Sequence, residues 1–126
     1  MREITVVPYD PSWHEAFERI CRELKSALHD SVLAIEHVGS TSVPGLYAKP
    51  IIDIDIVIST GMFETVKALL GSIGYMHAGD LGIEGREAFK YEGKPHLMVH
   101  HLYVCNEDSD ELKRHLALRD FLNLAV

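Results

Sequence analysis

At 126 residues, 47% hydrophobic and 25% charged, the chain has the size and balance of one folded globular domain, residues 1–126, rather than of a disordered tail. No apolar run approaches the roughly 20 residues of a membrane-crossing helix, and the start lacks the apolar stretch of a secretion signal, so a cytoplasmic protein with no membrane partner is expected. A net charge of −7, with basic residues scattered and no basic stripe bearing interleaved aromatics, argues against binding duplex nucleic acid.

In chain order, the β-branched Ile4-Thr5-Val6-Val7 predicts a short strand. Asp10-Pro11 then opens a helix, with Asp accepting from free amides and Pro suited to the first turn. Trp13, Phe17, Ile20, Leu24 and Leu28 recur at helical spacing and form its core face. A second strand over 32–38 stops at Gly39, and the two prolines and one glycine between Ser40 and Pro50 mark a loop. Ile51–Ile58 is the strongest strand. Ser59-Thr60 is expected to cap a helix from about Met62 to Ile73, stopped by Gly74. A short edge strand over 75–77 precedes a glycine-punctuated segment near 78–86. Residues 88–91 and 97–104 read as strands paired across the Gly93-Lys94-Pro95 turn. A last helix starts near Ser109, with Leu112, His115, Leu116, Leu118, Phe121 and Leu122 as its expected buried side. The fold class is therefore α/β in the α+β sense, a β-sheet flanked by helices. Cys21 and Cys105 match no metal spacing and read as buried thiols.

The chemistry concentrates at Asp53 and Asp55. Residues two apart on a strand share a face, so both carboxylates project together while Ile52, Ile54 and Ile56 point into the core. Two adjacent carboxylates on so apolar a strand repel each other and lose hydration if buried. A hard divalent cation such as Mg²⁺ (or Mn²⁺) offsets both; the alternative is an exposed strand end with solvated acids. Twelve residues separate Asp53 from the upstream Gly39-Ser40, which is followed by Thr41 and Ser42. There glycine admits close approach of a phosphate, and hydroxyls and free amides donate to it.

The stretch Glu36-His37-Val38-Gly39-Ser40-Thr41-Ser42-Val43-Pro44-Gly45-Leu46, followed by Ala48-Lys49-Pro50-Ile51-Ile52-Asp53-Ile54, resembles the hallmark of the GrpB-like family. So do Val7-Pro8-Tyr9-Asp10-Pro11-Ser12-Trp13, His100-His101-Leu102-Tyr103-Val104 and His115-Leu116-Ala117-Leu118-Arg119-Asp120. The resemblance covers nearly the whole chain. It implies a nucleotidyltransferase-like fold, a mixed β-sheet flanked by helices, because that family is placed in the nucleotidyltransferase superfamily, and family members also occur fused behind dephospho-coenzyme A kinase.

Carried over by residue, Gly39 and Ser40 match the superfamily's phosphate-contacting signature, and Asp53 and Asp55 its metal-binding acids. The superfamily adds a third acid from a later strand. The strand best placed here, His100–Val104, has none, and His101 takes that position as a candidate base. The resemblance thus implies Mg²⁺-dependent transfer of a nucleotidyl group from a nucleoside triphosphate to an unknown small-molecule or protein acceptor. The alternative is a non-catalytic nucleotide-binding or accessory module on the same fold.

Several roles stay open on sequence alone. Lys49 either neutralises phosphate or pairs with Asp53 or Asp55, and His37 either lines the pocket or is a satisfied strand histidine. His96, His100 and His101 offer a zinc site, although His100 and His101 face opposite sides of their strand. Arg86 and Tyr91 are candidates for a base or phosphate contact. Arg114 and Arg119 read as surface residues or aids to anion binding. Relatives of this kind continue past the Arg119-Asp120-Phe121 segment, so a further C-terminal helical segment is expected to be missing after Val126. An apolar patch left there would favour a homodimer.

Overall fold

Strands β1 (Ala34–Val38), β2 (Ile52–Ile58), β3 (Tyr75–Gly79), β4 (Arg86–Tyr91) and β5 (His100–Asn106) form one sheet in the order β1-β2-β5-β4-β3. β2 and β5 run parallel, and the other three pairings are antiparallel. Helices α1 (Ser12–Leu28), α2 (Phe63–Ser72) and α3 (Asp110–Ala125) flank it. This is the α+β architecture expected from the order of elements, with the mixed sheet that the family resemblance implies. The structure, a computed structural model, describes residues 5–82 and 84–125.

The alternation of β2 sorts the molecule into two sides. Ile52, Ile54, Ile56 and Ile58 lose essentially all solvent contact against Trp13, Phe17, Ile20, Leu24 and Leu28 of α1 and Val66 and Leu70 of α2. Leu102, Val104 and Phe89 continue that layer across β5 and β4. Each fully buried isoleucine is worth about 1.5–3 kcal/mol over its exposed state, so this face fixes the register of the central strand. The opposite face carries only a small apolar cluster, Val57, Cys105 and Leu112, with Ala34 and Leu116 packed against it. Asp53, Asp55, His101, Tyr103 and Arg86 stand on that second face by register: Asp53 is opposite His101, Asp55 opposite Tyr103, and Arg86 opposite Cys105.

Local signals account for the helix ends. Asp10 Oδ1 accepts the Ser12 N–H at 2.9 Å, and Gly74, at φ +95°, ends the chain's path out of α2. Ser59 and Thr60 make no side-chain cap to α2; instead the Ser59 carbonyl accepts the Met62 N–H at 3.2 Å.

Three expectations are corrected. Among residues 5–7 only Val7 pairs, by reciprocal 2.9 Å hydrogen bonds with Ala48, so the segment is a single bridge and not a strand; Ile4 lies outside the described residues. β4 and β5 pair as expected, but from Phe89 opposite Leu102 outward, not across a tight turn at Gly93-Lys94-Pro95. The connection sends Leu97 into the core and ties the His100 N–H to the Tyr91 hydroxyl at 2.9 Å, which separates the strand ends. On α3, Leu112 is buried but Leu118 and Phe121 are 57% and 66% exposed. Apolar packing ends in the first half of the helix, and beyond it Arg119 makes polar contact with β1.

Candidate functional site

The turn after β1 brings Gly39 against the first aspartate of β2. Gly39 has φ +75°, and a Cβ built on it would stand 2.4 Å from Asp53 Oδ2. Sequence reasoning reserved this glycine for a phosphate; the group that approaches it is the Asp53 carboxylate. Ser40 opens a 3-10 turn, Ser40–Ser42, and lines clefts on both sides of Asp53. Thr41 is buried: its hydroxyl accepts from His37 Nε2 at 2.9 Å and faces the Ile51 carbonyl at 3.4 Å. Ser42 donates its hydroxyl to the Gly39 carbonyl at 2.6 Å, closing the turn. Gly39 and Ser40 therefore reach the cleft surface, whereas the Thr41 and Ser42 hydroxyls are engaged within the fold.

The two aspartates have different surroundings. Asp53 is about one-third exposed, and its Oδ1 accepts from His101 Nδ1 at 3.0 Å. That hydrogen bond holds His101 above the ordinary imidazole range, against the opposing effect of burial. Asp55 is fully buried. Its Oδ2 accepts from His115 Nδ1 at 2.6 Å, while His115 Nε2 donates to Glu111 Oε1 at 3.0 Å. Carboxylates stand at both nitrogens, and the hydrogen bond to Asp55 raises His115 above its usual range. Asp55 Oδ1 is buried and has no hydrogen-bond partner among the described residues.

A cleft of about 300 Å³ lies between this face and α3. Val38, Ser40, Asp53, Arg86, Tyr103 and Arg119 are among its walls. Arg119 donates to Glu36 Oε2 at 2.8 Å and to the His37 carbonyl at 3.1 Å. The Arg86 guanidinium lies 3.9 Å from the centre of the Tyr103 ring. A second cleft on the other side of Asp53 is lined by Lys49, Ser40, Tyr47 and His101. Among the described residues Lys49 forms no ion pair with either aspartate, whose partners are the two histidines.

The zinc alternative is corrected. His96 pairs with Glu23 at 2.6 Å, His100 donates to the Met98 carbonyl and accepts from the Tyr75 hydroxyl, and His101 faces Asp53. Among the described residues no three His, Cys, Asp or Glu side chains converge as a metal cage. The donor set that does exist is two carboxylates, one with a buried orphan oxygen. That set suits a hard cation whose remaining positions are filled by water and phosphate oxygens. His37 lies on the core face, stacked on Phe17 at 4.8 Å, and burial pushes it down to about 4; it is a satisfied strand histidine. Cys21 and Cys105 are both free and buried.

The GrpB protein family matches residues 3–125. The chain belongs to the GrpB family. UPF0157 protein YqkA of Bacillus subtilis is 33% identical over 96% of this chain and 35% of its own length. UPF0157 protein BH1888 of Halalkalibacterium halodurans is 38% identical over 94% of this chain and 60% of its own length. The chain thus spans between about a third and three fifths of these GrpB relatives. Among solved structures, the conserved protein GrpB from Enterococcus faecalis superposes with TM-score 0.79 at 36% identity, over 95% of this chain and 73% of that one. Cid1 in complex with the UTP analog UMPNPP superposes with TM-score 0.63 at 6% identity, over 94% of this chain and 36% of that one, and shares the fold.

Two side chains joined to Asp55, His115 directly and Glu111 through it, are not singled out for the candidate site by the sequence, which places His115 on the buried side of the last helix. Glu111, His115 and Arg119 recur every fourth residue, a polar stripe within an apolar face, and that stripe was the available signal. Arg119 holds β1 rather than lying free at the surface.

Proposed function

We propose that this chain carries the catalytic core of a Mg²⁺-dependent nucleotidyltransferase, with Mn²⁺ as an alternative ion. The observation that carries the reading is the pair Asp53 and Asp55 on one face of the central strand, beside the Gly39-Ser40 turn, with Asp55 Oδ1 buried and unpartnered. The nucleotidyltransferase-like fold shared with Cid1, described as a poly(U) polymerase, supports the same class of chemistry.

In this reading Asp53 and Asp55 hold the ion, which when bound neutralises the phosphates and the charge that develops during transfer. Ser40 and the amides of its turn hold the triphosphate. His101 is kept in place by its Nδ1–H bond to Asp53, so its Nε2 is the atom available to receive a proton. The acceptor oxygen bonds to the α-phosphorus, the α–β bridging bond breaks, and its electron pair leaves with pyrophosphate. The acceptor proton passes to His101 Nε2. Arg119 and His115 keep α3 seated over the cleft and limit water access.

Calorimetric titration of ATP and UTP with Mg²⁺ into wild type and an Asp53→Asn/Asp55→Asn double variant tests the proposal. Binding by wild type with at least a tenfold loss in the double variant is expected. Equal binding by both proteins, or none by either, overturns it.

A further inference from the structure

Resting on the reading above, we infer that Arg86 recognises an oxyanion on the acceptor, so that the acceptor is a small molecule bearing a phosphate or carboxylate group. Among the described residues, three basic side chains line the cleft under α3, and two of them already face carboxylates. His115 lies between Asp55 and Glu111, and Arg119 between Glu36 and Asp120. Arg86 forms no ion pair among the described residues, and its Nε is buried without a hydrogen-bond partner. In a chain with 19 acidic against 12 basic residues, a wall arginine in no ion pair among the described residues is the group in this cleft able to pair with an incoming anion.

The guanidinium also rests 3.9 Å from the centre of the Tyr103 ring, a contact that restrains it and lowers the ordering cost of binding an anion. An unpaired buried N–H is costly, and an oxyanion supplies the missing acceptor.

Position assigns the anion to the acceptor rather than to the triphosphate. Gly39 and Ser40 follow β1, whereas Arg86 starts β4, and β2 and β5 lie between them. Three inter-strand spacings separate those backbones by about 14 Å. Asp53 lines the same cleft between the two anion-binding ends, which is where an acceptor held by Arg86 would meet a triphosphate held at Ser40. A cleft of about 300 Å³ admits a small molecule, and Val38, Leu118 and Leu122 give its carbon skeleton an apolar wall.

The test follows the Arg86 Nε–H by NMR while inorganic phosphate and, separately, acetate are titrated into the whole chain. A downfield shift and slower exchange of that proton is expected with one of the two, and the responding anion names the acceptor's charged group. Arg86→Gln should weaken the same anion by about tenfold or more, with Arg86→Lys falling between. No response to either anion, which would mean that the site holds water only, overturns the inference. So does undiminished affinity in Arg86→Gln, or a loss confined to Ser40→Ala, which would place the anion at the turn. Mg²⁺–ATP binding by the wild type is read in parallel. Its failure sinks the nucleotide reading separately from the response at Arg86.

Discussion

At Gly39 the backbone turns with φ +75° while Asp53 Oδ2 occupies the volume a Cβ would need. Both facts act against any substitution. A non-glycine residue at that φ costs about 1 kcal/mol, and relief of the clash requires the carboxylate to swing away from His101. Gly39→Ala is therefore expected to lower stability by about 1–3 kcal/mol in urea unfolding and to abolish the Mg²⁺-dependent nucleotide binding proposed above. A variant that binds as wild type would show that Asp53 does not need its present position. The same residue-scale logic separates the two aspartates. Asp53 touches solvent and a half-exposed histidine, while Asp55 is fully enclosed and has His115 as its hydrogen-bond partner.

Helix α3 is joined to the sheet by unlike means along its length. Its first half packs Leu112 and Leu116 against Val57, Cys105 and Ala34, whereas farther along Arg119 holds β1 through Glu36 and the His37 carbonyl. An amphipathic reading treats Leu112 and Phe121 as equivalent members of one stripe. Burial separates them, with Leu112 at 3% exposure and Phe121 at 66%. Leu112→Ala should cost about 2–4 kcal/mol in chemical denaturation, and Phe121→Ala less than about 0.5 kcal/mol. Comparable losses in the two variants would mean that Phe121 is covered in solution. The helix also carries Glu111 and His115 to Asp55, so α3 forms one wall of the cleft and supplies part of its polar lining.

For the molecule as a whole, eight histidines in 126 residues make stability depend on pH, and the structure gives their signs. His37 and His100 are pushed down by burial. Each binds its proton more readily in the unfolded chain, so the stability they permit is complete above the unfolded imidazole value of about 6.5 and is lost as pH falls. His101 and His115 are raised by their aspartates and act oppositely, contributing most in acid and losing their contribution as pH rises through their raised values. His37 can be isolated by difference. His37→Gln should gain stability relative to wild type as pH falls from 7 to 4, by at most about 3 kcal/mol, with the change centred between 6.5 and about 4. A difference that stays constant across that window would mean that His37 is not held neutral in the core. The described residues contain no helix long and apolar enough to cross a membrane.

What could be read from the chain alone was what covalent geometry and local pattern dictate. The period of two on Ile52–Ile58 requires Asp53 and Asp55 to share a face, and the helical spacing of Trp13, Phe17, Ile20, Leu24 and Leu28 requires a buried stripe. The glycine-to-aspartate spacing and the resemblance to the GrpB-like family located the candidate site for the same reason: both are properties of neighbours in sequence. The sheet order and the register beside β2 were not local. They brought His101 next to Asp53 across 48 residues and His115 next to Asp55 across 60. Whether Thr41 faced the cleft or the core, whether Lys49 or a histidine paired with the acids, and how far the apolar face of α3 was covered all depended on which surfaces met. Those contacts form between segments distant in sequence, and their energies come from burial and electrostatics that exist only once the layers have packed.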